Sequence, residues 1–106
     1  MNMKLIEQIV ADHQPEQFIS VNADLVTLMT IFGLSPAEAD VLCVLLREYK
    51  ACATDFRGRA TRIHIRKVRQ KLQPYCGANS ILSLGMGYYL IPDPMKTTIK
   101  NWIDHP

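Results

Sequence analysis

The chain has 106 residues, 48% of them apolar and 21% charged, with a net charge of +2; this composition predicts one folded domain with a modest core and excludes a disordered basic tail. No run reaches the roughly 18 apolar residues of a membrane span, and the N-terminus makes a poor secretory signal, so we expect a cytoplasmic protein that does not enter a membrane. Three cysteines and three histidines without metal-type spacing predict no disulfide framework, no metal site and no cofactor.

The first predicted element is a short amphipathic helix over residues 3–11, followed by a break at Pro15. The apolar residues on its one face are Leu5, Ile6, Ile9 and Val10. Such a helix either covers the core or pairs two copies of the chain in a homodimer, and the sequence leaves both readings open.

A second helix is predicted over residues 23–32, with Asn22 as its N-cap and Gly33 at its end. Its apolar stripe consists of Leu25, Leu28, Met29 and Phe32. Several β-branched residues lie in the same segment, namely Val26, Thr27, Thr30 and Ile31. They keep a strand open as the alternative.

The third predicted helix has the clearest local signal in the chain. Ser35 and Glu38 form a capping box, and Pro36 occupies the first helical position. The helix is expected to run to about Tyr49. Its predicted core-facing residues are Val41, Leu42, Leu45, Leu46 and Tyr49. Residues 50–58 are ambiguous and are compatible with one distorted turn that starts at Thr54 or Asp55.

The fourth predicted helix, over residues 60–73, carries most of the positive charge. Residues 1–55 contain eight acids and three bases, whereas residues 56–92 contain seven bases and no acid. Ile65, Val68 and Leu72 make the buried stripe of this helix. The polar residues that point elsewhere are Arg62, Arg66, Arg69 and Gln70.

The absence of any interleaved acid favours a polyanion-binding face over a merely solvated one. Like-charge pairs such as Arg62 and Arg66 destabilise an isolated helix by a few tenths of a kcal/mol. A solvated helix face usually mixes charges of both signs, since opposite charges are mildly stabilising. One-sided basic charge is the electrostatic footprint of a nucleic-acid binder.

Pro74 is predicted to stop the basic helix, and a hairpin follows it. Residues 81–84 and 88–91 are β-prone and flank the turn Gly85-Met86-Gly87, whose glycines tolerate positive φ. A lone Gly-x-Gly is weak evidence for a phosphate-binding loop, because no βα unit follows it. Residues 95–103 are predicted to form a last half-exposed turn. The residues expected to pack it on the domain are Ile99, Trp102 and Ile103.

Three motifs in residues 34–91 resemble the DNA-binding domain of OmpR/PhoB-type bacterial response regulators. That family's first helix begins L-T/S-P-x-E, and residues 34–38 read LSPAE. Its basic helix has the form R-x-V-D-V-H-I-x-R-L-R-x-K-L, and residues 59–72 read RATRIHIRKVRQKL. Its hairpin ends G-x-G-Y-x-L, and residues 85–90 read GMGYYL. The three matches occur in the family's order.

The resemblance implies a winged helix-turn-helix: a mainly α fold with a small β-hairpin, and no enzymatic activity. Residues 33–92 would form the DNA-binding domain, between an N-terminal helical extension (1–32) and a C-terminal tail (93–106). The basic helix (59–73) would enter the major groove of double-stranded DNA, and the hairpin wing (81–91) would lie along the adjacent minor groove. The protein would be a sequence-specific transcription regulator without a receiver domain.

The resemblance also implies which side chains contact DNA. Arg62, Ile63, Arg66 and Lys67 would face base edges, whereas Arg59, His64, Arg69 and Lys71 would lie nearer phosphates or be structural. The full expected set is Arg59, Arg62, Ile63, Arg66, Lys67, Arg69, Gln70, Lys71 and Met86.

Three departures from the family pattern are visible in the sequence. Arg62 stands where the family has Asp, which should change base preference. Leu84 stands where the family often has Arg or Trp. The stretch between the third predicted helix and the basic helix is short, so the supporting helix is expected to be shrunken or irregular.

Other readings compete with this one. Residues 25–46 also resemble the entry to a LuxR-type helix-turn-helix, although that family lacks a C-terminal wing. The main rival in function is a winged-helix interaction module that docks on RNA polymerase or another regulator. RNA binding is disfavoured because no aromatic stacking motif is present. His64 has no carboxylate or nucleophile near it in sequence, so catalysis is disfavoured as well.

Overall fold

The computed structural model describes residues 18–56 and 61–106. Within these ranges the chain forms four helices and a three-stranded antiparallel sheet. The sequence predicted a mainly helical fold with a small hairpin, but neither the fourth helix nor the third strand. The elements are α1 (Leu25–Phe32), α2 (Pro36–Arg47), β1 (Ala51–Cys52), a 3-10 turn (Ala53–Asp55), α3 (Thr61–Cys76), β2 (Leu82–Gly85), β3 (Tyr88–Leu90) and α4 (Asp93–Asp104). The helix predicted over residues 3–11, and with it the proposed pairing surface, lies outside the described residues.

Residues 25–32 form a helix, not the strand that the sequence left open as an alternative. The predicted N-cap, however, is wrong. The carboxylate of Asp24, not the side chain of Asn22, accepts the Thr27 backbone N–H at 2.7 Å, and the helix starts at Leu25. Asn and Asp are comparably good caps, so residue type alone could not choose between them. The helix ends as predicted at Gly33, which adopts a left-handed φ of 66°.

Helix α2 begins with the predicted capping box. The Glu38 N–H donates to Ser35 Oγ at 3.2 Å, and the Ser35 N–H donates to Glu38 Oε1 at 3.0 Å. The helix ends at Arg47, two residues before the predicted Tyr49. In the described part of the chain no single helix is long and apolar enough to cross a membrane; α1 and α2 pass that test only as a pair, bent by 110°.

One core joins all four helices and the hairpin. The predicted stripes of α2 and α3 are buried in it: Val41, Leu42, Leu45, Leu46, Ile65, Val68 and Leu72. Helices α1 and α4 contribute Leu28, Phe32 and Ile99 to the same cluster. The sequence predicted only a short turn at the end of the chain, but residues 93–104 form a helix of 12 residues that packs on the core.

Helix α3 continues through Pro74 to Cys76, so the prediction that Pro74 stops it is wrong. An interior proline costs about 3 kcal/mol or more through a lost hydrogen bond and a clash. Tertiary contacts stabilise the last turn here: the Tyr75 hydroxyl donates to the Ile31 carbonyl at 3.0 Å, and the Trp102 Nε1–H donates to the Tyr75 carbonyl at 3.1 Å. The Tyr75 ring also lies nearly perpendicular to the rings of Phe32 and Trp102, with centroid-to-centroid distances of 4.9 and 5.1 Å.

The predicted hairpin is present and gains a third strand. β2 and β3 flank the Gly85-Met86-Gly87 turn, and β1 pairs antiparallel with β3, giving the order β1-β3-β2. The two residues of β1 carry no periodic signal, so the sequence did not predict this strand. The Ala53 N–H donates to the Gly87 carbonyl at 2.7 Å, which fixes the start of the 3-10 turn against the hairpin.

Lys96 on α4 is fully buried and holds the segment before α1 against the end of α2. Its ammonium donates to the carbonyls of Ile19 at 2.8 Å and Glu48 at 2.7 Å and lies 5.4 Å from the centre of the Phe18 ring. Burial lowers the pKa of Lys96, and the nearby carboxylates of Asp93 and Glu48 only partly oppose it. A buried ammonium is tolerated where its donors are satisfied in this way.

The carbonyls of Leu46 and Arg47 at the end of α2 are capped by tertiary contacts, while the Val44 carbonyl accepts the Glu48 N–H. The Val21 N–H donates to the Leu46 carbonyl at 2.9 Å, and the Ser20 hydroxyl donates to the Arg47 carbonyl at 2.7 Å. The Lys96 ammonium donates to the Glu48 carbonyl, and its positive charge also complements the negative end of the helix dipole. The N-terminal segment therefore terminates α2 in place of a glycine cap.

Replacing Lys96 with Met is expected to lower the free energy of unfolding by about 2 kcal/mol or more. The methionine fills the space but leaves the part-buried carbonyl bonds of Ile19 and Glu48 without their donor, at a cost of about 1–3 kcal/mol each. Urea unfolding followed by circular dichroism measures the change. The control is Lys100→Met on the same helix, which removes only an exposed pair with Asp104 and should cost less than about 0.5 kcal/mol. Equal losses in both variants would contradict the capping role of Lys96.

Candidate functional site

The face of α3 opposite its buried stripe is exposed, positively charged and partly apolar. At about 100° per residue, Ile63 and Gln70 lie near the middle of this face, with Arg66 and Lys67 on either side. All four side chains are exposed, and Ile63 is 56% exposed although it is apolar. The structure therefore brings together four of the predicted site residues on one surface.

Arg62 lies at the edge of that face, beside the hairpin. It lines a cleft of about 480 Å³ between α3 and the hairpin, together with Arg69 on the helix side. The hairpin side of the cleft is formed by Ser83, Gly85, Met86, Gly87, Tyr88 and Tyr89. The basic face of the helix thus continues through this cleft to the tip of the hairpin.

Arg69 points inward and ties α3 to β2. Its Nε donates to the Ile81 carbonyl at 2.7 Å, and its Nη2 donates to Ser83 Oγ at 2.8 Å. Two hydrogen bonds from one rigid guanidinium fix both the distance and the angle between helix and hairpin. The structure shows the structural role, one of the two that the sequence left open for Arg69.

Lys71 ties the other flank of α3 to the start of α2. Its ammonium contacts Glu38 Oε1 at 2.6 Å, and the Glu38 side chain is only 4% exposed. The same oxygen also accepts the Ser35 N–H of the capping box. Burial raises the pKa of Glu38, but the hydrogen bonds and charge of Lys71 and the bonds from Ser35 outweigh it, so the pKa lies below its usual value.

The basic residues of the acid-free stretch therefore divide into two groups. Arg69 and Lys71 hold the helix in place. Arg62, Arg66 and Lys67 point outward, and no carboxylate in the described ranges pairs with them. Arg59 lies outside those ranges, so its predicted contact has no structural description.

The tip of the hairpin presents Met86. Its side chain is 49% exposed, and its backbone has a φ of 54° between two glycines that also have positive φ. Leu84, at the position where the resembled family often has a larger or charged side chain, is half-buried. The exposed apolar side chain at the tip of the hairpin is therefore that of Met86.

His64 lies on the flank of α3, half-buried. Its Nδ1 is buried and has no hydrogen-bond partner in the part of the chain that the structure describes. The described residues also contain no group of three His, Cys, Asp or Glu side chains that could hold a metal ion.

Comparisons of the chain with protein-family models, with curated proteins and with solved structures found no match. Function must therefore be inferred from the side chains themselves. Sequence reasoning found the outward residues of α3 from charge and spacing. It could not assign the inward roles of Arg69 and Lys71, because their partners, Ile81, Ser83 and Glu38, are distant in sequence and carry no local signal.

Replacing Glu38 with Gln is expected to lower the free energy of unfolding at pH 7 by about 1–2 kcal/mol, because the charged hydrogen bond to Lys71 is lost. The substitution should also remove part of the loss in the free energy of unfolding that the wild type shows at acid pH. Since the folded pKa of Glu38 is depressed, its stabilisation is fully present above its usual pKa and disappears as the pH falls through the folded value.

Chemical denaturation at pH 7, 5, 4 and 3 tests this prediction. The wild type should lose more stability below about pH 4.5 than Glu38→Gln does, so the two curves converge in acid. Asp104→Asn, which removes an exposed carboxylate of α4, is the control and should follow the wild type. A constant difference between Glu38→Gln and wild type at every pH would rule out the charged form of Glu38 as the stabilising species.

Proposed function

We propose that this protein binds double-stranded DNA in a sequence-specific way, as a winged helix-turn-helix transcription regulator of the OmpR/PhoB type. The observation that carries the proposal is the outward face of α3. Arg62, Arg66 and Lys67 surround the exposed apolar side chain of Ile63, and no acid of the described residues neutralises them. The cations of this face would complement the charge of a polyanion, and Ile63 would contact apolar groups on it.

The order of the elements supports the same proposal. Helix α2, strand β1, a short turn, the basic helix α3 and the hairpin follow one another, and β1 pairs with the second hairpin strand. Between α2 and α3 the described residues hold β1 and, as their helical element, the 3-10 turn Ala53–Asp55. The ion pair of Glu38 with Lys71 holds α3 directly on α2.

The outward side chains have the chemistry of base readout. The major groove of B-DNA, about 12 Å wide, admits one α-helix. An arginine such as Arg66 can bind guanine O6 and N7 with two hydrogen bonds, Gln70 can do the same for adenine, and Ile63 can contact a thymine methyl group. Arg62 and Lys67, which the resemblance also assigns to base edges, lie at the two edges of the face and would reach the outer bases or the phosphates that border the groove.

A protein-docking module is the second candidate, and one observation favours it. Three exposed apolar side chains, Ile63, Leu82 and Met86, lie on α3 and on the hairpin. Such residues would fit a contact with RNA polymerase or another regulator. The two candidates differ in their response to salt, since DNA binding releases counterions and apolar docking does not.

Binding to a duplex should weaken steeply as salt increases. If about four to six phosphates are neutralised per domain, log K against log salt falls with a slope of roughly −4 to −5. Fluorescence anisotropy with a labelled 20-base-pair duplex, at 50 to 300 mM NaCl, measures the slope. Absence of binding at the lowest salt, or a flat response, would reject the DNA proposal and favour docking on a protein.

Arg66 should discriminate between sequences. The variant Arg66→Lys keeps the charge but loses the bidentate geometry. It should therefore keep its affinity for random duplex and lose about 1–3 kcal/mol on a duplex selected by the wild type from a random library. The variant Arg66→Ala should bind both the random and the selected duplex more weakly. Lys100→Ala, an exposed lysine of α4, should change neither.

Competition binding of the selected and random duplexes to each variant gives the specificity ratio. The proposal requires the ratio to fall in Arg66→Lys and to stay constant in Lys100→Ala. An unchanged ratio in both arginine variants would mean that α3 follows the phosphate backbone without reading bases.

A further inference from the structure

The half-buried guanidinium of Arg69 has no anionic partner among the described residues. Its Nε and Nη2 donate to neutral groups, the carbonyl of Ile81 and the hydroxyl of Ser83. None of the ion pairs in the described ranges includes Arg69. Removing a charge from water costs free energy unless the charge is paired as well as hydrogen-bonded. The two bonds use only two of the five N–H donors of a guanidinium, so the group can also bind an anion.

The cleft between α3 and the hairpin brings a second arginine to the same place. Arg62 and Arg69 both line it, and they are separated by two turns of α3, or about 10 Å along the helix axis. No acid of the described residues contributes to the lining. The volume of the cleft, about 480 Å³, lies within the range of about 300–1,000 Å³ that is usual for small-molecule sites. The cleft is therefore a positively charged pocket that can hold a small anion.

The remaining walls of the cleft are neutral and partly apolar. Ile65 lies on the helix wall, between the two arginines in the sequence. On the hairpin, Ser83 and Tyr89 pair directly across the two strands, so their side chains share one face of the sheet. The bond from Arg69 to Ser83 shows that this face is turned towards α3. The pocket thus combines two cations with an aromatic ring and an aliphatic side chain, which suits a ligand that has both a phosphate group and a flat ring.

A duplex seated on the outward face of α3 would not fill this pocket. At 100° per residue, Arg69 lies about 120° around the helix axis from Ile63, near the middle of that face. Its guanidinium is also held against β2 by the bonds to Ile81 and Ser83. The anion site is therefore separate from the outward face, although Arg62 borders both.

We propose that the cleft between α3 and the hairpin binds a free nucleoside monophosphate. The phosphate pairs with the guanidinium groups of Arg62 and Arg69, whose planar donors match its oxygen atoms. The base packs against Tyr89 and Ile65, since nucleobases stack on aromatic side chains. This inference goes beyond the proposed DNA binding and does not depend on it, because it rests on the unpaired charge of Arg69 and on the cleft.

Isothermal titration calorimetry in about 50 mM NaCl, with adenosine 5′-monophosphate as the probe, tests the proposal. The wild type should bind one molecule of the nucleotide per chain. Adenosine lacks the phosphate and inorganic phosphate lacks the base, so each should bind at least about tenfold more weakly. Absence of nucleotide binding, or equal binding of either fragment, would overturn the assignment.

The variants Arg62→Gln and Arg66→Gln form a matched pair. Each removes one positive charge from an exposed side chain of α3, but only Arg62 lines the cleft. Arg62→Gln should weaken nucleotide binding about tenfold, whereas Arg66→Gln should change it less than about twofold. Equal losses in the two variants would indicate a general attraction to the positively charged helix and would reject the site.

Backbone amide shifts in NMR spectra separate a free nucleotide from a phosphate of DNA. The nucleotide should shift the amides of Ser83 and of residues 85–87, which line the cleft. If it leaves them in place while a random duplex shifts them, the cleft holds a phosphate of the DNA strand. The nucleotide site is then rejected and DNA binding stands. If the nucleotide shifts these amides in a protein that binds no duplex, the proposed function fails and the nucleotide site stands.

Discussion

One buried carboxylate, that of Glu38, joins the start of α2 to α3. Glu38 Oε1 accepts both the N–H of Ser35, which starts α2, and the ammonium of Lys71 in the second half of α3. Because the side chain is buried, it can keep its charge only while these donors are in place. The same carboxylate therefore caps α2 and holds α3 against it. The orientation of the side chains on α3 follows from this contact.

Arg69 completes the placement from the other side of the helix. With Glu38 holding one flank, Ile65 and Val68 buried beneath and β2 bound to Arg69 on the other flank, α3 cannot rotate without breaking buried contacts. The remaining cations, Arg62, Arg66 and Lys67, are then directed outward. Rigid presentation matters because base readout needs side chains fixed by packing and hydrogen bonds.

The features that the sequence predicted are those set by local chemistry. The Ser35 capping box, the end of α1 at Gly33 and the glycines of the hairpin each depend on a few adjacent residues. The features that it missed depend on distant partners. Pro74 remains inside α3 because Ile31 and Trp102 hold the turn that follows, and the two-residue strand β1 exists only because β3 pairs with it.

The same distinction applies to the candidate site. Charge and 3.6-residue spacing placed Arg62, Arg66, Arg69 and Gln70 away from the buried stripe. The family resemblance added Ile63 and Lys67 to the predicted outward face. Arg69 and Lys71 carry equal charge in the same helix, and only the tertiary structure separates their inward roles from the outward ones. The buried Lys96 also had no signal, since its partners are carbonyls of Ile19 and Glu48.

The central claim is that the outward face of α3 and the tip of the hairpin form one DNA-binding surface. Backbone amide shift mapping by NMR, with ¹⁵N-labelled protein titrated with a duplex selected from a random library, tests it directly. The largest changes should fall on residues 62–70 and on Met86, while the Trp102 indole and the amides of α4 stay in place. Changes centred on α4 and Trp102, with α3 unaffected, would contradict the claim.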